Sequence, residues 1–377
     1  MTTNKILFVV NAPEFFLSHR LPIALAAREV GFEVHVATAP GDAVREIRRV
    51  GLVHHTVAIA RSGQNPLSEL GSIFNLYRLF RELKPSLVHL ITIKPVLYGG
   101  IAARIARVPT VVAAVSGLGT VFLAQSMFSR ARRTLVSALY RSAFRQRRLV
   151  VIFQNPDDRD GLLAIRALRN DQVRMIRGSG VDLSNYSVVP EPVGTPVVVM
   201  AARLLRDKGV YEFVEASRLL RSRRVNVVMR LIGAPDIGNP TSVAPQDLDC
   251  WTSDSIVELL GYRTDVPQQY QAANIVCLPS YREGLPKGLV EAAACGRAVV
   301  TTDVPGCRDA IEPGVTGVLV PVKNASALAD AIQMLVGWPE RRLGMGRAGR
   351  KLAEEAFSID RIVDQHLAIY EELLEDD

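Results

Sequence analysis

Short, continuous apolar runs alternate with stretches of helical periodicity along most of the 377 residues. In the first half, residues 6–10, 33–38, 87–91, 111–115 and 150–154 are β-type runs, mostly apolar and for the most part continuous rather than alternating. Between them the spacing of apolar residues predicts helices over 19–30, 42–50, 68–83 and 95–107. Gly31 and Gly51 follow two of these helices and Pro85 a third, each an expected stop signal. Strands separated by helices imply a parallel sheet with helices on both faces, and strands that are mostly continuous in apolar residues agree with burial on both sides.

The pattern breaks over 178–196, where glycines and prolines cluster with little periodicity. That stretch reads as a linker. The alternation then restarts, with strands over 197–201, 226–232, 256–259, 275–278, 298–301 and 317–320 and a polar insertion over 235–254. A chain of this length exceeds the roughly 250–300 residues at which single cores stop growing. The expectation is an α/β chain of two doubly wound domains, 1–178 and 179–377, with the last helix (about 358–374) able to cross back to the first. Ligands in such sheets bind beyond the carboxyl ends of the strands, so two facing domains would enclose an interdomain cleft.

Composition narrows the class without naming it. The hydrophobic content of 48% and charged content of 22% suit an ordinary globular protein. Cys250, Cys277, Cys295 and Cys307 form no C-x-x-C pair and lie near no histidine at zinc spacing, so they read as reduced core or near-core thiols. The run 6–10 is shorter than the roughly 7–15 apolar residues of a signal peptide. Residues 108–129 carry no charge, but Pro109, Gly117, Gly119 and several hydroxyls suit a buried strand and loop better than a membrane span. No P-loop glycine signature is present, and no dinucleotide-type glycine triplet directly follows a predicted strand.

The net charge of +7 is unevenly placed: residues 101–150 hold nine arginines and no lysine or acid. Such a block suits an anionic partner or a plain solvated surface. Its spacing favours a membrane. In a helix over 126–146, Arg130, Arg133, Arg141, Arg145 and then Arg148 share one face, while Phe128, Leu135 and Leu139 fill another. The expectation is peripheral docking on an anionic membrane surface through 126–148, with no nucleic acid as partner.

Two loops carry the chemistry. After the strand 275–278, Glu283 and Gly284 to Gly288 lead into a helix beginning near Leu289, with Glu291 just inside it. Glycines let backbone approach a ligand, and a helix N-terminus offers N–H donors and partial positive charge. The two carboxylates can accept hydrogen bonds from sugar or ribose hydroxyls; the alternative is a solvated Glu283 and a Glu291 that merely favours the helix dipole. After the strand 197–201, Arg203 and Lys208 precede another helix, which suits a diphosphate clamp or a solvated pair.

Together these loops resemble a known family. The segment 283–291 matches the E-x7-E signature of retaining glycosyltransferases of the GT-B fold, with Gly284, Leu285 and Pro286 flanking it as in that family. Gly180-Val181-Asp182, Gly306 and Gly314-x-x-Gly317 resemble its other turns, and the whole chain is most similar to glycosyltransferase family 4. The segment 15–22 resembles bacterial enzymes that act on polyprenyl-diphosphate-linked glycans.

The resemblance implies a hexosyltransferase that retains anomeric configuration. Arg203 and Lys208 would hold the diphosphate of a UDP-sugar, an N-acetylhexosamine donor by the narrower match. Glu283, with Gly284, Leu285 and Pro286, would contact the sugar and Glu291 the ribose. Acceptor binding would fall to His19, Arg20, Lys94, Ser116 and Gly117 in the first domain, with His19, Arg20 and Lys94 on the acceptor diphosphate. Many relatives carry a histidine in the loop after the strand 111–115; this chain has none there. Asp247-Leu248-Asp249 is similar to the metal-binding D-x-D of single-domain transferases but lies in the polar insertion, so neither a metal nor another cofactor is expected. The expected location is cytoplasmic, at the inner face of the membrane. Alternatives are a nucleotide-sugar 2-epimerase of the same fold, which needs no acceptor, and a non-catalytic membrane-surface or nucleic-acid protein.

Overall fold

Aliphatic, β-branched runs form the two sheets of the computed structural model, which describes residues 4–59, 66–118, 127–236 and 238–375. The chain divides into two units: 1–179 with 360–377, and 180–359.

In unit 1, among the described residues, seven parallel strands follow the order β3-β2-β1-β4-β5-β6-β7. They are β1 (Lys5–Val10), β2 (Glu33–Thr38), β3 (Val53–Thr56), β4 (Leu87–Ile91), β5 (Thr110–Val115), β6 (Arg148–Phe153) and β7 (Val173–Met175). Every residue of β4 and β5 is buried. Alternate residues of β1 serve opposite cores: Ile6, Phe8 and Val10 on one face, Leu7 and Val9 on the other. The edge strands β3 and β7 escaped the sequence reading because they are short and half polar. The final helix, Ile359–Glu375, buries Ile362, His366, Ile369 and Tyr370 at helical spacing against the Phe8 face. Residues 360–377 thus belong to the first unit.

The arginine-rich helix ends earlier than its charge pattern suggested. It spans Met127–Ala143. Arg145 follows it, and Arg148 opens β6 and donates to the Leu373 carbonyl. Arg141 donates to the Ile165 carbonyl, and Leu135, expected on the packed face, is exposed. The Arg130 and Arg133 side chains, like Phe128 and Gly119, lie outside the described residues. No helix among the described residues is long and apolar enough to cross a membrane.

Unit 2 repeats the arrangement as β10-β9-β8-β11-β12-β13, again parallel. Its strands are β8 (Val197–Ala201), β9 (Val228–Ile232), β10 (Glu258–Leu259), β11 (Ile275–Leu278), β12 (Ala298–Thr302) and β13 (Gly317–Val320). The stretch expected to be a linker is tied into this unit at several points. Val181 bridges to Ser358, Tyr186 reaches Glu291, and Glu191 pairs with the buried Arg342. In each sheet the strand order reverses beside the first strand, between β1 and β4 or between β8 and β11. That switch point is where doubly wound sheets bind ligands.

Candidate active site

The loops after β8 and β11 flank the switch point of unit 2, and backbone contacts hold them together. After β8 a single 3-10 turn, Arg206–Lys208, ends at Gly209, whose φ of +78° favours glycine. A Cβ there would lie 2.1 Å from the Pro279 carbonyl oxygen, so the two loops touch through bare backbone. The Tyr281 N–H and the Ser280 hydroxyl both donate to the Asp207 carbonyl, at 2.9 and 3.0 Å. From the other side the Glu283 N–H donates to the Pro305 carbonyl. Gly306 packs where a Cβ would come within 2.5 Å of the Glu283 carbonyl oxygen.

This scaffold joins Lys208 to Glu283. The Lys208 ammonium donates to Glu283 Oε1, and the Ser280 hydroxyl donates to the same oxygen at 2.7 Å. Both bonds fall on Oε1, which leaves Oε2 for a ligand. An ammonium has three N–H donors, so Lys208 can hold Glu283 and a phosphate oxygen together. Arg203 shares the loop, but its guanidinium is half exposed and pairs with Asp236.

The helix after Glu283 spans Lys287–Ala294, two residues earlier than expected, so Gly288 lies in its first turn. Gly284, Leu285 and Pro286 are buried between Glu283 and that helix. Pro286 is the N-cap residue and supplies no side-chain cap, while the Leu289 N–H turns back onto the Pro286 carbonyl. Glu291 is buried one turn inside. Its Oε1 accepts from the Tyr186 hydroxyl at 2.6 Å and lies 3.4 Å from the Lys287 ammonium. Burial raises the Glu291 carboxyl above the usual range, while Lys287 and the Tyr186 bond act the other way. Tyr186 was not among the residues singled out from sequence. Its position comes from Arg350, which donates to the carbonyls of both Tyr186 and Ala294.

Unit 1 treats its candidates less evenly. His19 is the last residue of the helix Pro13–His19, stacked on Phe15 with ring centroids 4.0 Å apart and Nδ1 2.7 Å from the Ser18 hydroxyl. It therefore stands a helix's length past β1 rather than in the turn after that strand. Arg20 corrects the sequence reading outright. It breaks the chain between two helices and is 1% exposed, beside His89, His366 and Tyr370. Its Nη1 donates to the His19 carbonyl, its Nε has no partner, and burial lowers its pKa to about 10. A guanidinium sealed in the core cannot clamp an acceptor diphosphate.

Lys94 follows β4 as expected but is engaged by Glu69, Nζ to Oε1 2.6 Å. Ser116 and Gly117 follow β5. The Ser116 hydroxyl is buried without a partner, and Gly117 has a φ of +110°. Among the other candidates, Asp247 sits in the helix Pro245–Ser253 and accepts from Tyr211, and Cys250 is exposed while the remaining cysteines are buried. Among the described residues no cluster of three or more metal-ligating side chains occurs.

Comparison with known proteins agrees with this geometry. Residues 5–155 match the family model described as Glycosyl transferase 4-like, and residues 195–337 the model described as Glycosyl transferases group 1. The chain is 28% identical over 382 residues to the N,N'-diacetylbacillosaminyl-diphospho-undecaprenol alpha-1,3-N-acetylgalactosaminyltransferase of Campylobacter jejuni, covering 95% of this chain and 98% of that protein. It is 24% identical over 285 residues to the UDP-Gal:alpha-D-GlcNAc-diphosphoundecaprenol alpha-1,3-galactosyltransferase of Escherichia coli, covering 71% and 70%. The structure of Anabaena HepE in complex with UDP-glucose superposes with a TM-score of 0.78 at 22% identity, over 98% of this chain and 99% of that one. Sucrose-phosphate synthase from Thermosynechococcus elongatus gives 0.79 at 20%, over 99% and 100%. These two likenesses establish the fold. With a family model matched in each half and a relative aligned along nearly its whole length, the chain belongs to the group 1, family-4-like glycosyltransferases and is a hexosyltransferase of the GT-B fold.

Proposed function

We propose that this enzyme moves a sugar from a UDP-sugar to a polyprenyl-diphosphate-linked saccharide, with retention of configuration, in the assembly of a bacterial surface glycan. The observation that carries the donor half is the Lys208–Glu283 pair, held at the switch point of unit 2 beside an uncapped helix N-terminus. Lys208 and Arg203 hold the donor diphosphate, Glu283 with Gly284, Leu285 and Pro286 receives the sugar, and Glu291 takes the ribose. The acceptor hydroxyl attacks the face from which the nucleotide departs, and the donor phosphate takes its proton. Lys208 and Arg203 stabilise charge on the leaving diphosphate, so the reading calls for no metal. The acceptor class is supported by the printed activities of the Campylobacter and Escherichia relatives, and N-acetylhexosamine transfer by the former.

A lipid-linked acceptor places the enzyme at the inner face of the cytoplasmic membrane. The exposed Arg145 and Arg147 and the exposed Leu135 support docking on anionic lipid.

Thermal unfolding across nucleotides and nucleotide sugars tests the donor. The true donor stabilises by about 2.7 kcal/mol at one hundred times its dissociation constant, and no shift with any UDP species overturns the assignment. Lys208→Ala should lower kcat about 10²–10³-fold, as loss of a preorganised charge donor does. Full activity in that variant removes Lys208 from the site. UDP release in the absence of any acceptor would favour the epimerase alternative.

A further inference from the structure

The carboxyl edge of β4 and β5 carries features that the donor site does not use. Thr92, the residue after β4, has a φ of +73°, a conformation a β-branched side chain rarely adopts. Strain of this kind persists where surrounding structure imposes it, often at ligand sites. The next turn, Pro95–Gly99, is π-helical, another form that concentrates at functional positions. The Thr92 hydroxyl and the Ser116 hydroxyl are both buried without a hydrogen-bond partner. Ile91 and Ala114 are paired across β4 and β5, so both hydroxyls lie just past the paired ends of neighbouring strands. Buried polar groups are ordinarily satisfied, and two orphans on one edge call for a partner.

The charge at this edge is compensated. Lys94 and Glu69 form an ion pair with about a fifth or less of each side chain exposed, and the Tyr98 hydroxyl also bonds Glu69. Drawing Lys94 away from Glu69 would strand a largely buried carboxylate, which is costly. Arg20, the other cation on this side of the sequence reading, is sealed in the core. A diphosphate needs net positive charge and several cationic or N–H donors. A sugar hydroxyl needs a donor and an acceptor side by side, which carboxylate, ammonium, phenol and two unpaired hydroxyls supply.

We infer that the β4–β5 edge of unit 1 binds the saccharide of the acceptor through its hydroxyls, using Glu69, Lys94, Tyr98, Thr92 and Ser116, and does not bind the acceptor diphosphate. The inference rests on the proposed reading of the enzyme as a transferase to a lipid-linked saccharide. It reverses the role that the sequence assigned to Lys94 and adds Glu69, Tyr98 and Thr92 to the site.

The test compares two acceptors bearing the same sugar: a polyprenyl-diphosphate monosaccharide and an alkyl glycoside without the diphosphate. Glu69→Gln should raise KM for both by tenfold or more and by equal factors, as loss of bonds to a charged group does. Tyr98→Phe should raise both by about fivefold, as loss of one neutral hydrogen bond does. Unchanged hydrogen-exchange protection over β4 and β5 reports that unit 1 of each variant is folded, and an unchanged UDP dissociation constant that unit 2 is intact. If Glu69 only neutralises Lys94 for a diphosphate, Glu69→Gln instead tightens the lipid-linked acceptor and leaves the glycoside unchanged; that result overturns the inference, as does an unchanged KM for both. Saturation-transfer NMR with the alkyl glycoside reads the subsite without turnover. Glycoside binding that is lost in Glu69→Gln, in an enzyme that transfers to neither acceptor, keeps the subsite and overturns the proposed reaction. No glycoside binding by the unaltered enzyme overturns the subsite.

Discussion

The two sheets share one strand order and one switch point, yet their carboxyl edges are finished differently. In unit 2 each carboxylate has a fixed partner: Lys208 and Ser280 on Glu283, Tyr186 on Glu291. In unit 1 the edge presents a compensated ion pair, two unpaired hydroxyls and a strained Thr92. The contrast extends into the cores. The buried Arg297 of unit 2 donates to the carbonyls of Tyr270, Val189 and Gln271, and Arg342 pairs with Glu191 and donates to the Leu335 carbonyl. The buried Arg20 of unit 1 makes one bond, to the carbonyl before it. All six histidines also lie outside unit 2. One topology therefore supports a polar interior that is largely satisfied in unit 2, where Glu212 Oε2 is an exception, and more often frustrated in unit 1.

The arginines offer the largest effect. Arg342→Met leaves Glu191 buried without its cation and should cost about 3–5 kcal/mol in denaturant unfolding, whereas Arg20→Met should be neutral or stabilising, because it removes an uncompensated charge. Equal costs would erase the distinction between the two cores.

Acid offers the next. Burial lowers the His366 pKa from its usual 6.5 to about 3, and that of His89 well below the usual value. As pH falls below about 6.5 the unfolded chain takes up these protons and the folded unit does not, so stability falls with pH until the folded value is reached. Each histidine contributes up to about 1.4 kcal/mol per pH unit across that window. Hydrogen exchange at pH 5 against pH 7 should show deprotection concentrated in 4–179 and 360–375. Uniform loss of protection, or loss in unit 2 first, would contradict the comparison.

A subtler probe addresses the donor edge. Tyr186→Phe removes the hydroxyl that orients Glu291 and should raise the donor KM about tenfold with kcat little changed. A fall in kcat instead would assign Tyr186 to the chemical step. The smallest effect concerns the surface: Arg145→Gln and Arg147→Gln should each weaken binding to anionic vesicles about fivefold, and no change would remove these arginines from membrane docking.

Much of this was legible in the chain. Buried parallel strands read as apolar runs, so β1, β2, β4, β5, β8, β11 and β13 stood out, while β3, with its His54 and His55, did not. Glu283, Lys208 and the glycines between them were legible because their chemistry depends on spacing along two loops. Gly209 and Gly306 then act through backbone contact alone. Tyr186 and Glu69 carried no local signal, since each reaches its partner from a distant segment.

Amino-acid order alone determined the tandem doubly wound architecture, the two donor loops and the identity of the charges available to them. Tertiary structure decided which of those charges face a ligand. Arg20 and Lys94 look equally available in sequence, but the break between two helices turns the first into the core and Glu69 neutralises the second. Side-chain direction and pairing arise from packing between segments far apart in the chain, and no local pattern encodes them.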